Sequence, residues 1–160
     1  MLRPNTYLLF GILLLSLVGL SCSDSYIDNV QRGGWYNYEA GLPELRLSTT
    51  GYFNEQGVPT IGVSGDVVYG GLIYKQNKDG DIQADISIEI IVRDVEDDML
   101  VADKMFSRSL IAENNSVIHS QNLFRFAEQF EVKPGEYEVS VTVTDDNSGK
   151  QMVRKSSDKY

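Results

Sequence analysis

One cysteine, one histidine, one tryptophan and four prolines are spread over 160 residues. A lone thiol excludes a disulfide within the chain. One histidine and one cysteine also leave a zinc site only carboxylates to complete it. Cation charge is scarce, with 14 Lys+Arg against 23 Asp+Glu and a net charge of −9. No Lys/Arg cluster relieves that balance, so phosphate backbones are repelled and nucleic-acid binding is excluded. A long amphipathic helical run is missing as well. What remains is about one domain's worth of chain, 42% hydrophobic, which is too apolar for wholesale disorder.

The first charges are far apart: Arg3 stands alone before Asp24. Between them "YLLFGILLLSLVGL" (7–20) is almost wholly apolar. As a helix its 14 residues would span about 21 Å, short of the ~30 Å hydrocarbon core. A basic start, a short apolar run and small residues at its end predict a signal peptide. A buried N-terminal helix would carry polar residues on one face, and this run has no such face.

The run ends in "VGLSC", with Gly19 and Ser21 flanking Leu20 immediately ahead of Cys22. This resembles the lipobox of bacterial lipoproteins, with Gly19 where leucine is usual and Leu20 one residue late. The resemblance implies cleavage before Cys22 and palmitate-type lipidation of its sulfur. Several buried acyl chains at ~0.8 kcal/mol per CH₂ anchor where a single chain holds only marginally. The alternative is a plain secreted protein with an incidental cysteine. Residues 1–21 are thus expected to be a lipoprotein signal peptide, 22–41 the lipidated cysteine and tether, and 42–160 the folded domain. Loss of Arg3 leaves 13 Lys+Arg against 23 Asp+Glu, a net charge near −10. The expected address is the bacterial cell envelope, at the outer membrane, held there by a lipid anchor.

The body has period two. In "DIQADISIEIIVRDV" (81–95), Ile82, Ala84, Ile86, Ile88, Ile90 and Val92 alternate with mostly polar neighbours. That spacing buries one face of a strand and wets the other. "LFRFAEQFEV" sets Phe124, Phe126, Phe130 and Val132 on one side, with Glu128 interrupting them as at an edge or a bulge. "EYEVSVTVTD" turns Tyr137, Val139, Val141 and Val143 inward, and "PELRLSTTGYF" is a shorter run around Leu45 and Leu47.

Turn signals separate the runs. "NKDGD" (77–81) follows a strand-like "VVYGGLIYKQ", in which Gly70 and Gly71 mark a bulge or a close backbone approach. "KPG" (133–135) is a hairpin junction, and "DDNSGK" (145–150) leads into "QMVRK". "GVSGD" (62–66) falls between strands. "SLIAENNSVIHSQNL" (109–123) admits a short strand, a crossover loop or a helical turn. Strands about ten residues apart with tight turns predict an all-β fold, an antiparallel Ig-like β-sandwich following the signal peptide and short tether.

Residues 64–155 resemble the N-terminal β-domain of GWxTD-domain bacterial envelope proteins, many of them lipoproteins. The shared pattern is an aromatic–Gly–Leu strand, the alternating isoleucine strand, then Phe130, Val132, Pro134, Gly135, Tyr137, Val139, Val141, Val143, Asp145, Ser148 and Gly149. The motif that names the family is absent: after Gly34-Trp35, Asn37 and Tyr38 stand where threonine and aspartate would be. A function resting on the family's second domain therefore does not transfer.

Chemistry-bearing residues are few. His119 has no G-x-S-x-G elbow to serve, and no poised acid–base pair is apparent, so the chain is expected not to be an enzyme. Acidic loops at 77–81, 94–98 and 145–149 suit hard cations, with Asp145 and Asp146 the best calcium candidates. None has the spacing of an EF-type loop, and Asp, Asn and Gly also serve ordinary β-turns. No cofactor is expected. Trp35, Tyr36 and Tyr38 are candidate contacts for a sugar or a protein partner, or else pack over the end of the sandwich. Two functions follow. One is a non-enzymatic, membrane-anchored binding or assembly module whose partner is another envelope protein. The other is a carbohydrate-binding lipoprotein using the exposed aromatics, with an enzyme of acidic loops a distant third.

Overall fold

A computed structural model describes residues 41–114, 118 and 121–159. Cys22, Trp35, Tyr36, Tyr38 and His119 lie outside the described residues, as do the signal peptide and almost all of the tether.

Among the described residues, eight strands form two antiparallel sheets: β1 (Leu45–Phe53), β2 (Pro59–Val68), β3 (Lys75–Gln76), β4 (Ile82–Asp94), β5 (Leu100–Ala112), β6 (Leu123–Glu131), β7 (Glu136–Asp145) and β8 (Gln151–Lys159). One sheet has the order β1-β2-β6. In the other, β5, β4, β7 and β8 lie side by side, and the short β3 pairs the start of β4. In immunoglobulin notation this sets strands A, B and E against C′, C, F and G. The Ig-like sandwich expected from the sequence is what the chain forms.

The alternating strands build the core. Ile86, Ile88, Ile90 and Val92 from β4 and Val139, Val141 and Val143 from β7 are fully buried against Ile61, Val63 and Val67 of β2. Burying each such side chain contributes about 1.5–3 kcal/mol. The core therefore rests on the two central strands of the larger sheet and the central strand of the smaller.

Two stretches differ from expectation. "GVSGD" lies inside β2 and not between strands. Its glycines hide the alternation because rings from neighbouring strands take the place of their side chains. A Cβ on Gly65 would meet Phe126 Cζ at 2.3 Å, and one on Gly62 would meet Tyr52 Cε1 at 3.1 Å. The strand-like "VVYGGLIY" breaks after Val68 into a 3₁₀ turn, Tyr69–Gly71. The close approach expected there does occur, since a Cβ on Gly71 would come within 3.0 Å of the Leu42 carbonyl.

The "KPG" junction is not a hairpin. β6 and β7 belong to different sheets, so residues 132–135 cross the sandwich. The crossing is fixed by Tyr137, whose hydroxyl donates to the Lys133 carbonyl at 2.8 Å. This is the tyrosine corner of Greek-key sandwiches. The flanks are closed by side chains. On one, Phe106 of β5 meets Phe126 of β6 edge-to-face at 5.9 Å, and Lys104 is ion-paired with Glu128. On the other, the hydroxyls of Thr49 and Ser156 lie 2.7 Å apart.

Candidate functional site

Strand registers give the sandwich two poles. At one, Gly41 brings the chain in: its N–H donates to the Gly71 carbonyl and its own carbonyl accepts from the Ser148 hydroxyl at 2.7 Å. The other pole carries the β1–β2 hairpin, the β4–β5 turn and the β6–β7 crossing, linked by Val132 N–H to Pro59 O and Val95 N–H to Glu136 O, both 2.9 Å. The described surface there carries exposed apolar side chains among acidic ones.

Besides Phe53 at the β1–β2 hairpin, 72% exposed, the apolar side chains come from residues 95–101. Val95, Met99, Leu100 and Val101 are 48%, 59%, 53% and 39% exposed. A register shift explains the last two. Along β4 and β5, Val92 faces Ala102 but Arg93 faces Leu100, leaving Val101 as the extra residue of a bulge. Val92 points into the core and Arg93 out of it, so the bulge turns Leu100 away from the interior it would otherwise enter. A one-residue slip moves every side chain beyond it to the opposite face. Asp98, at φ 55°, makes the left-handed step that tightens the preceding turn.

Met99, Leu100 and Val101 line a groove of about 550 Å³ with Val132, Lys133, Tyr137, Asp94, Asp97 and Glu131. Each carboxylate has one oxygen engaged by a neutral donor. Asp94 accepts from the Glu96 N–H at 2.8 Å, Asp97 from the Met99 N–H at 3.1 Å, and Glu131 from the Asn54 side-chain amide at 3.0 Å. Among the described residues none of the three has a cationic partner. Three carboxylates thus share the groove with apolar side chains, and Lys133 is the only cation among its described lining residues. Burial of the Tyr137 ring, with the Asp94 charge beside it, raises the phenol pKa above its usual 10.0.

Asp145 and Asp146 do different work from metal binding. Asp145 is wholly buried and its carboxylate accepts three backbone N–H groups: Ile73 at 2.6 Å, Asn147 at 2.8 Å and Ser148 at 2.9 Å. Asp146 points to the outer face of the larger sheet and accepts from the Ser87 hydroxyl at 2.9 Å. The two carboxylates do not converge. Among the described residues no three His, Cys, Asp or Glu side chains gather as a metal site would need. The acidic "NKDGD" is likewise a turn, where Asn77 Oδ1 accepts from the Asp79 and Asp81 N–H groups at 2.9 Å each.

The sequence placed "DVEDD" among the acidic loops but did not single out Met99, Leu100, Val101 or Val132. The usable signal was a short apolar run directly behind four acidic residues in five. Its direction depends on the bulge, which no periodicity reveals.

The class that fold and site define is an Ig-like sandwich with an apolar, acid-rimmed pole. No family model matches the chain, and no curated protein does. Among solved structures it is similar to Bacteroides uniformis beta-glucuronidase at 13% identity and a TM-score of 0.47, over 72% of this chain and 13% of that one. It is also similar to a CARDB domain from Pyrococcus furiosus, solved in complex with di-metal ions, at 12% identity and a TM-score of 0.37, over 78% of this chain and 98% of that one. The chain thus spans only a small part of the glucuronidase.

Proposed function

We propose that this protein is a lipid-anchored component of a bacterial envelope, at the outer membrane, whose sandwich is a non-enzymatic module holding another envelope protein. The anchor is Cys22, behind the signal peptide, as in the GWxTD-domain lipoproteins that residues 64–155 resemble. The observation that carries the reading is polarity of the domain. The described chain begins at Gly41 at one pole, and Phe53, Val95, Met99, Leu100 and Val101 are exposed at the opposite one, while Met105, Ile111 and Val153 are exposed elsewhere. A group of exposed apolar side chains at the pole opposite Gly41 leaves a contact surface clear of the point where the described chain begins. Contiguous exposed apolar surface rimmed by polar groups marks interaction sites.

Metabolic labelling with an alkyne palmitate analogue tests the anchor. The wild-type chain takes up label and fractionates with membranes, and Cys22→Ser abolishes both. Equal labelling of wild type and variant overturns the anchored reading.

A further inference from the structure

We infer that the groove between the β4–β5 turn and the β6–β7 crossing receives a short basic segment of a partner protein, one or two large apolar side chains flanked by lysine or arginine. The inference rests on the partner-holding reading and names the chemistry of the partner.

Three observations converge on this occupant. The floor is apolar and open, with Met99 exposed in the turn and Leu100 and Val101 aimed outward by the bulge. A groove of about 550 Å³ falls within the range that seats a compact ligand group. The rim holds three carboxylates against one cation, Lys133, and Asp94, Asp97 and Glu131 each keep an oxygen that no described donor occupies. An acidic occupant would meet three like charges here, whereas a cationic one completes them.

The same region shows why the contact is made by side chains and not by strand addition. The free edge of β5 carries Lys104 and Arg108 on its sandwich side, and Arg108 covers its neighbour's carbonyl by donating to Ser107 O at 2.8 Å. Inward-pointing charges of this kind block a further strand. The guard stops short of Leu100–Val101, where the bulge breaks the ladder. A second copy is a poor occupant, because the chain's net charge of −9 opposes self-association at an acidic pole.

The probe is a fluorescein-labelled peptide, acetyl-Lys-Leu-Lys-Phe-Lys-amide, titrated with the full chain by fluorescence polarisation. Two controls replace every lysine with glutamate, or both apolar residues with serine. The lysine peptide saturates, weakens as salt rises, and outbinds either control. Combining Asp94→Asn, Asp97→Asn and Glu131→Gln keeps every acceptor atom described above but removes the charge, and lowers affinity by roughly fivefold or more. Leu100→Ser, at an exposed position, does the same without affecting the fold.

Absence of saturation, equal binding of the glutamate peptide, or indifference to both variants overturns the proposal. A concentration-dependent dimer that Leu100→Ser dissolves would assign the groove to a second copy, and overturns it too. A chain that binds no peptide while Cys22 still takes the palmitate label loses the groove assignment alone. An unlabelled Cys22 beside intact peptide binding removes the anchored reading alone.

Discussion

The ring of Phe126 lies across Gly65 on the paired strand, at the position a Cβ would occupy. Phe126 in turn packs against Phe106 and Phe124, so the ring has little room to withdraw. Gly65→Ala is expected to cost about 1–3 kcal/mol, as overpacking of a filled core does. Gly62→Ala costs less, because Tyr52 is at the surface and can swing aside. Urea unfolding of both variants measures the difference, and equal effects contradict the packing described.

Tyr137→Phe removes the bond to the Lys133 carbonyl and leaves that acceptor without this donor. A loss of about 1–3 kcal/mol is expected from deleting one partner of a buried pair. The phenol also gives a pH signature. Its folded pKa lies above 10.0, so above that value the unfolded chain has lost a proton that the folded chain retains. Tyr137 therefore contributes stability that is complete below pH 10.0 and is lost as pH rises through the raised folded value. Thermal melts above that pH should fall more steeply for wild type than for Tyr137→Phe, and parallel curves would remove Tyr137 as the cause.

Asp145 holds the β2–β3 link to the β7–β8 turn through three backbone amides. Asp145→Ala leaves those donors without it, and a loss of about 2–4 kcal/mol follows, near the upper range for charge-assisted bonds. Adding calcium or EDTA should leave the melting temperature of wild type unchanged, because both carboxylate oxygens are already engaged. A calcium-dependent rise that Asp145→Ala abolishes would overturn this assignment.

Lys104 and Arg108 guard the β5 edge. The exposed Lys104–Glu128 pair itself contributes at most about 1 kcal/mol. Replacing both cations with valine is expected to change association more than stability, with higher oligomers or aggregates appearing at rising concentration on size exclusion. A variant that stays monomeric at high concentration would show that the edge is protected in some other way.

Legibility from sequence followed the regularity of each strand's surroundings. β4 and β7 are central, with one face sealed against the other sheet, so Ile86–Val92 and Val139–Val143 alternate cleanly. β5 inverts the rule. Its inner face carries Lys104 and Arg108, whose stems reach to the rim, and its outer face carries Val101, Met105 and Ile111. No alternation of apolar with polar survives, and the strand was not apparent. β2 was hidden by Gly62 and Gly65, whose volume is supplied by rings from other strands.

The crossing at 133–135 reads as a tight turn because Pro-Gly specifies a local bend and not which sheet the chain enters next. Tyr137, two residues beyond Gly135, was the available clue, and its hydroxyl bond makes the crossing explicit. The candidate groove was the least legible feature. It depends on one extra residue in β5 and on three carboxylates brought together from two sheets.

Strands β1 and β8 run side by side in the same direction, joined by the Thr49–Ser156 contact, with Gly41 near one pole and Lys159 at the other. A tug between these positions would be borne lengthwise by the hydrogen-bond ladders β1–β2 and β7–β8, all of whose rungs must slip together instead of opening one at a time. The domain is in that sense built as a stiff link, yielding least along the line from Gly41 to Lys159.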